Sequence, residues 1–294
     1  MKIYDCTTFY SEKMMLDLRF NILNENVYKF IVIESSFSHS GKKKKFNFDI
    51  NDYPKFKDKI IYLKIDKEPI DLYGDMEASK DPIYKRLNSI KRIEQSYDFM
   101  MKGIINASDE DLIIISDNDE IPNLNSNKFK KSNKKFYIFK QLLFYYKFNL
   151  LHETMPWFGS KACKKKYLKS FSNLRNLKNK KYPFWRIDTY FSNLKETSLD
   201  IIGDGGWHFT NIKTPEDLYI KMKNFGHHDE FDESKLTIED LRKKIDDGLV
   251  FYDHFIDKKS EDKWKGNYKL KRIENHLLPD YLIKNQNNFK EWFK

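Results

Sequence analysis

Residues 111–122, Asp-Leu-Ile-Ile-Ile-Ser-Asp-Asn-Asp-Glu-Ile-Pro, constrain the fold more than any other segment. The apolar run 112–115 is typical of a buried strand, and Pro122 prevents that strand from simply continuing. In an extended segment, Asp117 and Asp119 would share a face and repel each other unless a cation lay between them. Carboxylates suit Mg²⁺ or Mn²⁺, and open α/β sheets bind ligands at the carboxyl ends of their strands. We therefore predict a metal site at Asp117 and Asp119.

An acidic surface turn is the alternative for this segment, because Asp-Asn-Asp is common in turns and Asp-x-Asp also arises by chance. The buried strand before it and the Glu-Ile-Pro after it favour the metal site. Glu120 either supports the metal ligands or simply ends the strand.

The order of predicted elements indicates the fold class. In residues 1–125 we expect strands at 2–4, 30–34, 60–65 and 112–116, and helices at 11–25, with Ser11 as N-cap, and at 83–107. This is the layout of a nucleotide-binding α/β half with a largely parallel sheet. In residues 126–294 we expect strands within 136–146, a basic connector at 161–181 that is mostly loop, and a helix at 215–225 capped by Thr214. Without a Gly/Ser-rich linker or a repeat, residues 1–294 should form a single domain.

The composition limits the partners and the compartment. The net charge of +10 favours anionic partners, but the lysines are spread along the whole chain and no nucleic-acid-binding motif accompanies them. We expect no specific nucleic acid, whereas peripheral contact with an anionic membrane is compatible with the charge. No window approaches 18 apolar residues, and the two cysteines are too few for a disulfide framework, so we expect a cytoplasmic protein.

Several segments, spread in order over nearly the whole chain, match one family. They are residues 3–10 with Glu12, Leu18 and Arg19, residues 29–34, Gly41-Lys42, residues 111–122, Gly206-Trp-His-Phe209, Thr214-Pro-Glu216 with Lys221, and residues 278–285. On these segments the chain resembles glycosyltransferase family 17, whose animal members add the bisecting N-acetylglucosamine to N-glycans.

The resemblance implies a GT-A type nucleotide-sugar transferase fold, with a Rossmann-like, mostly parallel central sheet and a loop-rich acceptor half. It also implies an inverting reaction with a UDP-sugar donor, best UDP-N-acetylglucosamine, and an Mn²⁺ or Mg²⁺ cofactor. The acceptor would be a hydroxyl of a glycan or a lipid-linked saccharide. Residues 161–200 show no matching motif, so the acceptor itself is not indicated.

The site expected from this reading centres on Asp119 as a direct metal ligand, with Asp117 contacting the metal or the ribose. Three glycines between 203 and 206 let the backbone turn sharply or approach a ligand. After them, Trp207 could stack on a sugar and His208 could complete the metal sphere. The alternative is that Trp207 lies in the core and that His208 caps a turn.

Further candidates follow the first two strands and the glycine turn. Gly41 and Lys42 could grip a diphosphate, although an exposed lysine run is the alternative. Asp5 and Glu34 lie at strand ends, where one could bind uracil or ribose.

The general base is predicted to be Asp204 or Glu230, each of which could instead be a solvated carboxylate.

Two other functional classes remain open from the residues alone. A basic protein that binds nucleic acid or anionic membranes would lose affinity steeply with salt and would not need Asp117 or Asp119. A nucleotidyltransferase or phosphohydrolase also uses paired aspartates but would need no sugar donor.

Overall fold

The computed structural model describes residues 1–74, 76, 81–224, 231–232, 234–252 and 268–294. The strands are β1 (Ile3–Thr8), β2 (Lys29–Ser35), β3 (Ile60–Ile65), β4 (Leu112–Ser116), β5 (Glu120–Pro122), β6 (Phe136–Tyr145), β7 (Leu150–Leu151), β8 (Trp157–Lys164), β9 (Leu199–Ile202), β10 (Gly206–Thr210) and β11 (Lys271–Arg272). The α-helices are α1 (Lys13–Leu23), α2 (Pro82–Phe99), α3 (Asn127–Lys131), α4 (Phe171–Asn176), α5 (Pro215–Asn224), α6 (Ile238–Asp247) and α7 (Asp280–Lys284). Short 3₁₀ helices cover Ile50–Asp52, Pro54–Lys59, Met100–Ile104, Lys165–Tyr167, Ile187–Thr189, Asn275–Leu277 and Gln286–Trp292.

The strands join in one large mixed sheet with the order β11-β7-β6-β8-β4-β1-β2-β3. The strands β3, β2, β1 and β4 are parallel to one another, which confirms the predicted parallel sheet for the N-terminal half. Strand β8 pairs antiparallel with both β4 and β6, and β6 pairs parallel with β9 and β10. The short strand β5 pairs with β10 instead of extending β4.

Buried apolar runs explain the central strands. All five residues of β4 are buried, as are the five central residues of β2, because each of these strands is covered on both faces. One cluster of buried side chains includes Leu18, Val32 and Ile114, and a second, on the other side of the sheet, includes Ile33, Ile113 and Phe171.

Several boundaries differ from the sequence predictions. Helix α1 begins at Lys13 with Glu12 in the capping position and no side-chain cap bond, so Ser11 is not its N-cap. Helix α2 ends at Phe99 and continues as a 3₁₀ turn instead of reaching residue 107. Residues 161–164, expected in the basic connector, belong to β8 because their backbone pairs with β4. Of the helices that the structure describes, none combines the length and apolar character needed to cross a bilayer.

Candidate functional site

The site is built on the turn between β4 and β5. After Ser116 the chain turns tightly, and the backbone N–H of Glu120 donates to the carbonyl of Asp117 over 3.0 Å. The extended geometry expected for this segment is therefore wrong, and the side chains of Asp117 and Asp119 have different partners. Because β1, β2 and β4 are parallel, this turn and the chain that follows β1 and β2 lie at the same edge of the sheet.

Asp119 meets His208 across the β5–β10 pair. Oδ1 of Asp119 lies 3.4 Å from Nε2 of His208, and Oδ2 lies 3.9 Å from Nζ of Lys221 on α5. The register aligns His208 with Glu120, and the backbone N–H of Phe209 donates to the Asp119 carbonyl over 2.9 Å. Burial favours the neutral carboxyl, but the interactions with His208 and Lys221 outweigh it and hold the pKa of Asp119 well below its usual value.

Asp117 is held by two side chains that lie far from it in sequence. Its Oδ1 accepts a hydrogen bond from the Tyr97 hydroxyl over 2.8 Å, and its Oδ2 accepts one from Nη2 of Arg175 over 2.7 Å. Burial raises the pKa of Asp117 despite the charge of Arg175, and neighbouring Glu120 and Asp119 raise it further.

Glu120 is fully buried and every oxygen of its carboxylate has partners. Arg175 donates to both oxygens, at 2.7 and 2.9 Å, and the indole of Trp157 donates to Oε1 over 2.7 Å. The backbone N–H of Asp117 donates to Oε2 over 2.9 Å, which closes the turn. Burial opposes ionisation, but Arg175 keeps the pKa of Glu120 below its usual value. Glu120 therefore shapes the turn and holds Arg175 in place.

A second arginine holds the same turn from the other side. Arg19, on α1, is fully buried and donates to the Glu120 carbonyl over 2.6 Å and to the Asp117 carbonyl over 3.3 Å. Its guanidinium also pairs with both carboxylate oxygens of Asp5, at 2.5 and 2.7 Å. Asp5 is fully buried by this pair, so the expected contact between Asp5 and a nucleotide does not fit its position.

Glu34 has a similar structural role after β2. Its fully buried carboxylate pairs with Lys44 and accepts hydrogen bonds from the Tyr62 hydroxyl and from the backbone N–H groups of Asn47 and Phe48, over 2.7 to 3.0 Å. These contacts fix the loop after β2 and leave no exposed oxygen for uracil or ribose.

The loop after β2 carries Gly41 at φ +89°, a conformation that favours glycine. A Cβ at this position would lie 2.6 Å from Nη2 of Arg92, so the guanidinium packs directly against the glycine. Lys42, the expected diphosphate contact, is exposed beside it.

Trp207 and His208, which were expected to act together, lie next to each other on strand β10. Neighbouring residues of β10 point to opposite faces, so Trp207 and His208 do not share a site. The Trp207 indole donates to the Leu277 carbonyl over 2.7 Å and packs against the core, so the expected sugar contact does not fit this position. Trp157 takes the place beside His208, with ring centroids 4.5 Å apart.

The two candidate bases are not brought to Asp119 by any described contact. Asp204 lies exposed in the turn before β10 and accepts a hydrogen bond from Ser126 over 2.6 Å, whereas Asp119 meets the later part of that strand. Glu230 lies outside the described residues, as do His227, His228 and Asp229.

Additional charged residues complete the cluster around Asp119. Nζ of Lys213 lies 3.5 Å from Oε1 of Glu12, which follows β1. Although burial opposes it, the charges of Lys213 and Lys221 lower the pKa of Glu12. Lys221 also donates to Oδ1 of Asn211 over 3.0 Å. The cluster around Asp119 thus contains two ammonium groups beside two carboxylates.

The residues present are compatible with a divalent cation that has few protein ligands. Among the described residues, no three His, Cys, Asp or Glu side chains form a ready-made metal site. With 3.4 Å between Asp119 Oδ1 and His208 Nε2, both side chains would still be able to hold one cation. Mg²⁺ commonly uses one or two protein ligands and takes the rest from water and substrate phosphates. Asp117 does not complete this set, because Tyr97 and Arg175 occupy its oxygens.

Three comparisons place the chain among known proteins. The model of glycosyltransferase family 17 matches residues 1–293. No curated protein matches the chain. Similar solved structures include HddC from Yersinia pseudotuberculosis complexed with GMP-PN, with a TM-score of 0.37, 12% identity, and 75% of this chain and 97% of that chain covered. They also include the inositol-1-phosphate CTP transferase from T. maritima, with a TM-score of 0.36, 10% identity, and 76% and 96% covered. Both likenesses are too distant to bear on function.

Proposed function

The chain belongs to glycosyltransferase family 17, and on this premise we propose that it transfers N-acetylglucosamine from UDP-N-acetylglucosamine to a saccharide hydroxyl with inversion. Membership of the family makes the protein a glycosyltransferase, with a nucleotide-sugar donor and a glycan acceptor in general terms. The donor sugar, the metal dependence and the role of each residue are our proposal.

The observation that carries the proposal is the meeting of Asp119, His208 and Lys221 at the carboxyl end of a parallel strand. Inverting transfer breaks the bond between the sugar and the diphosphate, so negative charge develops on the departing UDP. A site for this reaction has to stabilise that charge and hold the two substrates in line.

In the proposed site, Asp119 and His208 hold a divalent cation. Mn²⁺ or Mg²⁺ bound there would neutralise the charge on the departing diphosphate. Lys221 and Lys213 lie beside carboxylates of the same cluster, and their ammonium groups would contact phosphate oxygens. Asp117, whose side chain is 38% exposed although Tyr97 and Arg175 hold its oxygens, would face the ribose of the donor.

The acceptor hydroxyl loses a proton as it attacks the sugar, and a carboxylate base would receive it. Glu230, which follows α5 in the chain and lies outside the described residues, is one candidate for this role. Asp204 stays the other candidate, although its contact with Ser126 places it in the turn before β10.

Calorimetric titration of UDP-N-acetylglucosamine, with Mn²⁺ and with a chelator, tests the donor and the metal together. We expect binding that requires the metal. Equal affinity for UDP and for several other UDP-sugars would keep the nucleotide site but contradict the choice of N-acetylglucosamine. Binding that is unchanged by the chelator would contradict the cation at Asp119 and His208.

A further inference from the structure

An exposed aromatic loop lies beyond the helix that carries Arg175. We define the aromatic loop as residues 178–194, whose ends are joined by a 2.8 Å hydrogen bond from the backbone N–H of Lys178 to the carbonyl of Leu194. It exposes five large apolar side chains within eight residues, each more than two thirds accessible. They are Phe184 (76%), Trp185 (67%), Ile187 (72%), Tyr190 (77%) and Phe191 (87%).

Internal hydrogen bonds give this loop a defined shape. The hydroxyl of the buried Thr189 donates to the Arg186 carbonyl over 2.6 Å, and the 3₁₀ turn Ile187–Thr189 continues from the same point. Arg186 and Lys195 both pair with Asp188, at 2.6 and 2.7 Å. These contacts fix the shape of the loop, while its apolar side chains stay exposed.

Basic residues accompany the exposed rings. The loop contains four basic residues, Lys178, Lys180, Lys181 and Arg186, against the single acidic Asp188; Arg186 pairs with Asp188, and Lys181 pairs with Asp200 outside the loop. Lys178 and Lys180 are exposed on the segment that leads to the aromatic residues. Clustered exposed aromatic residues with a net positive charge can bind a surface whose outer layer is anionic and whose interior is apolar.

We propose that the aromatic loop docks on an anionic membrane surface. Tryptophan and tyrosine rings prefer the interfacial region of a bilayer, and phenylalanine and isoleucine add apolar area that inserts below the headgroups. The lysines would contact the anionic headgroups, and this electrostatic attraction would add to the free energy of inserting the apolar side chains. A platform for stacking sugars is the competing explanation, but Ile187 has no ring to stack.

The position of the loop connects docking with the catalytic site. Helix α4 ends at Asn176, directly before the loop, and its Arg175 holds Asp117 and Glu120. Nζ of Lys161 donates to the carbonyls of Arg175 and Leu177, over 2.7 and 2.6 Å, and so ties the start of the loop to the sheet. A docked loop would therefore bring the site to saccharides carried at the membrane surface. Docking itself does not depend on the proposed donor or metal.

Vesicle flotation of the full chain, without nucleotide or metal, tests the proposal. We expect binding to vesicles that contain phosphatidylglycerol and weak binding to vesicles of phosphatidylcholine alone. The triple variant Phe184→Ser, Trp185→Ser, Phe191→Ser should lower the partition coefficient at least about tenfold. A control with the exposed Ile70→Ser and Ile105→Ser, at 106% and 70% accessibility, should bind like the wild type.

Wild-type partition in the folded triple variant would overturn the proposal, and so would absence of vesicle binding by the wild type. If the wild type does not bind vesicles and the triple variant has a higher KM for a soluble saccharide acceptor, the loop binds sugar instead.

If the triple variant fails to fold, the fluorescence emission of Trp185 gives a second test. Vesicles should shift the emission of the wild type to the blue, and Trp185→Phe should remove most of that shift; an unchanged shift in that variant would contradict docking.

Discussion

Nε2 of His208 lies 3.4 Å from Oδ1 of Asp119, although the two residues belong to distant parts of the chain. The pairing of β5 with β10 produces this contact, because it aligns His208 with Glu120, the residue after Asp119. Nδ1 of His208 is buried and has no hydrogen-bond partner among the described residues, so the contact with Asp119 is made through Nε2 alone. The proposed cation site depends on this relationship.

Lys221 should contribute to donor binding through its charge. Because its Nζ lies 3.9 Å from Asp119 Oδ2 at the proposed diphosphate site, Lys221→Met should raise the donor Kd about tenfold, as expected for one charge-assisted contact. Lys223→Met is the matched control, since Lys223 lies on the same helix and pairs with Asp232. Calorimetry on both variants makes the comparison, and equal Kd values for the two would contradict the role of Lys221.

Arg175 should be a major determinant of stability as well as of the site. Arg175→Met would leave the fully buried Glu120 without its charged partner, which should lower the free energy of unfolding by about 3–5 kcal/mol. Arg242→Met removes an arginine from exposed ion pairs and should cost about 1 kcal/mol or less. Urea unfolding measures both. A cost for Arg175→Met as small as that of the control would show that Glu120 does not depend on this ion pair.

The close approach of the Glu120 carboxylate to the backbone should require a glycine at position 159. A Cβ at Gly159 would overlap Oε1 of Gln141 and lie 2.6 Å from Cδ of Glu120, so Gly159→Ala should force these side chains or β8 to move and destabilise the fold by about 1–3 kcal/mol. Gly203→Ala is the control, because a Cβ there meets no atom within 4 Å. Thermal unfolding of the two variants should separate them, and an unaffected melting temperature for Gly159→Ala would contradict this packing.

Lys161 should make stability depend on pH near neutrality. Burial, helped by the charge of Arg175, lowers the pKa of Lys161 to about 7 in the folded state. The unfolded chain keeps that proton until about pH 10 and so binds more protons above pH 7, which makes the free energy of unfolding rise with pH. From pH 7 to 8 we expect a gain of up to about 1 kcal/mol, before the thiols of Cys6 and Cys163 ionise in the unfolded chain.

Urea unfolding of the wild type and of Lys161→Met at pH 7 and pH 8 measures this rise in the free energy of unfolding. The variant should show no such rise. Lys165→Met is the control because Lys165 also donates to two carbonyls, those of Ile105 and Ala107, yet is less buried. Equal pH slopes in the wild type and Lys161→Met would contradict the assignment.

The parallel strands and the acidic segment that follows β4 could be predicted from local sequence, but that segment was expected to be extended and forms a turn. An all-apolar run such as 112–115 indicates a buried strand by itself, and Asp117 and Asp119 follow it directly. The observed contact between Asp119 and His208 was anticipated as a shared metal site, whose metal stays a prediction. The strand depends on residues close together in the chain, whereas the contact between Asp119 and His208 joins distant segments and was expected from the family resemblance.

The supporting residues could not be predicted in the same way, because their roles arise from tertiary packing. Arg175 lies in a connector without a recognisable motif, and Tyr97 lies on a helix with no sign of its contact to Asp117. The one available signal was Gly159 inside a strand, since such a glycine often marks a close approach by another group. Sequence reasoning selects Trp207 because it is next to His208 in the chain, but Trp207 lies on the opposite face of β10. The ring that packs against His208 is that of Trp157.

The most direct test of the proposed site is calorimetric titration of UDP-N-acetylglucosamine into Asp119→Asn in the presence of Mn²⁺. Asparagine preserves the shape of the side chain but removes its charge, so the variant should fold and lose the metal-dependent part of donor binding. Asp58→Asn, which changes an exposed aspartate in the 3₁₀ helix before β3, should bind the donor like the wild type. Wild-type, chelator-sensitive affinity in folded Asp119→Asn would contradict a cation site at Asp119 and His208.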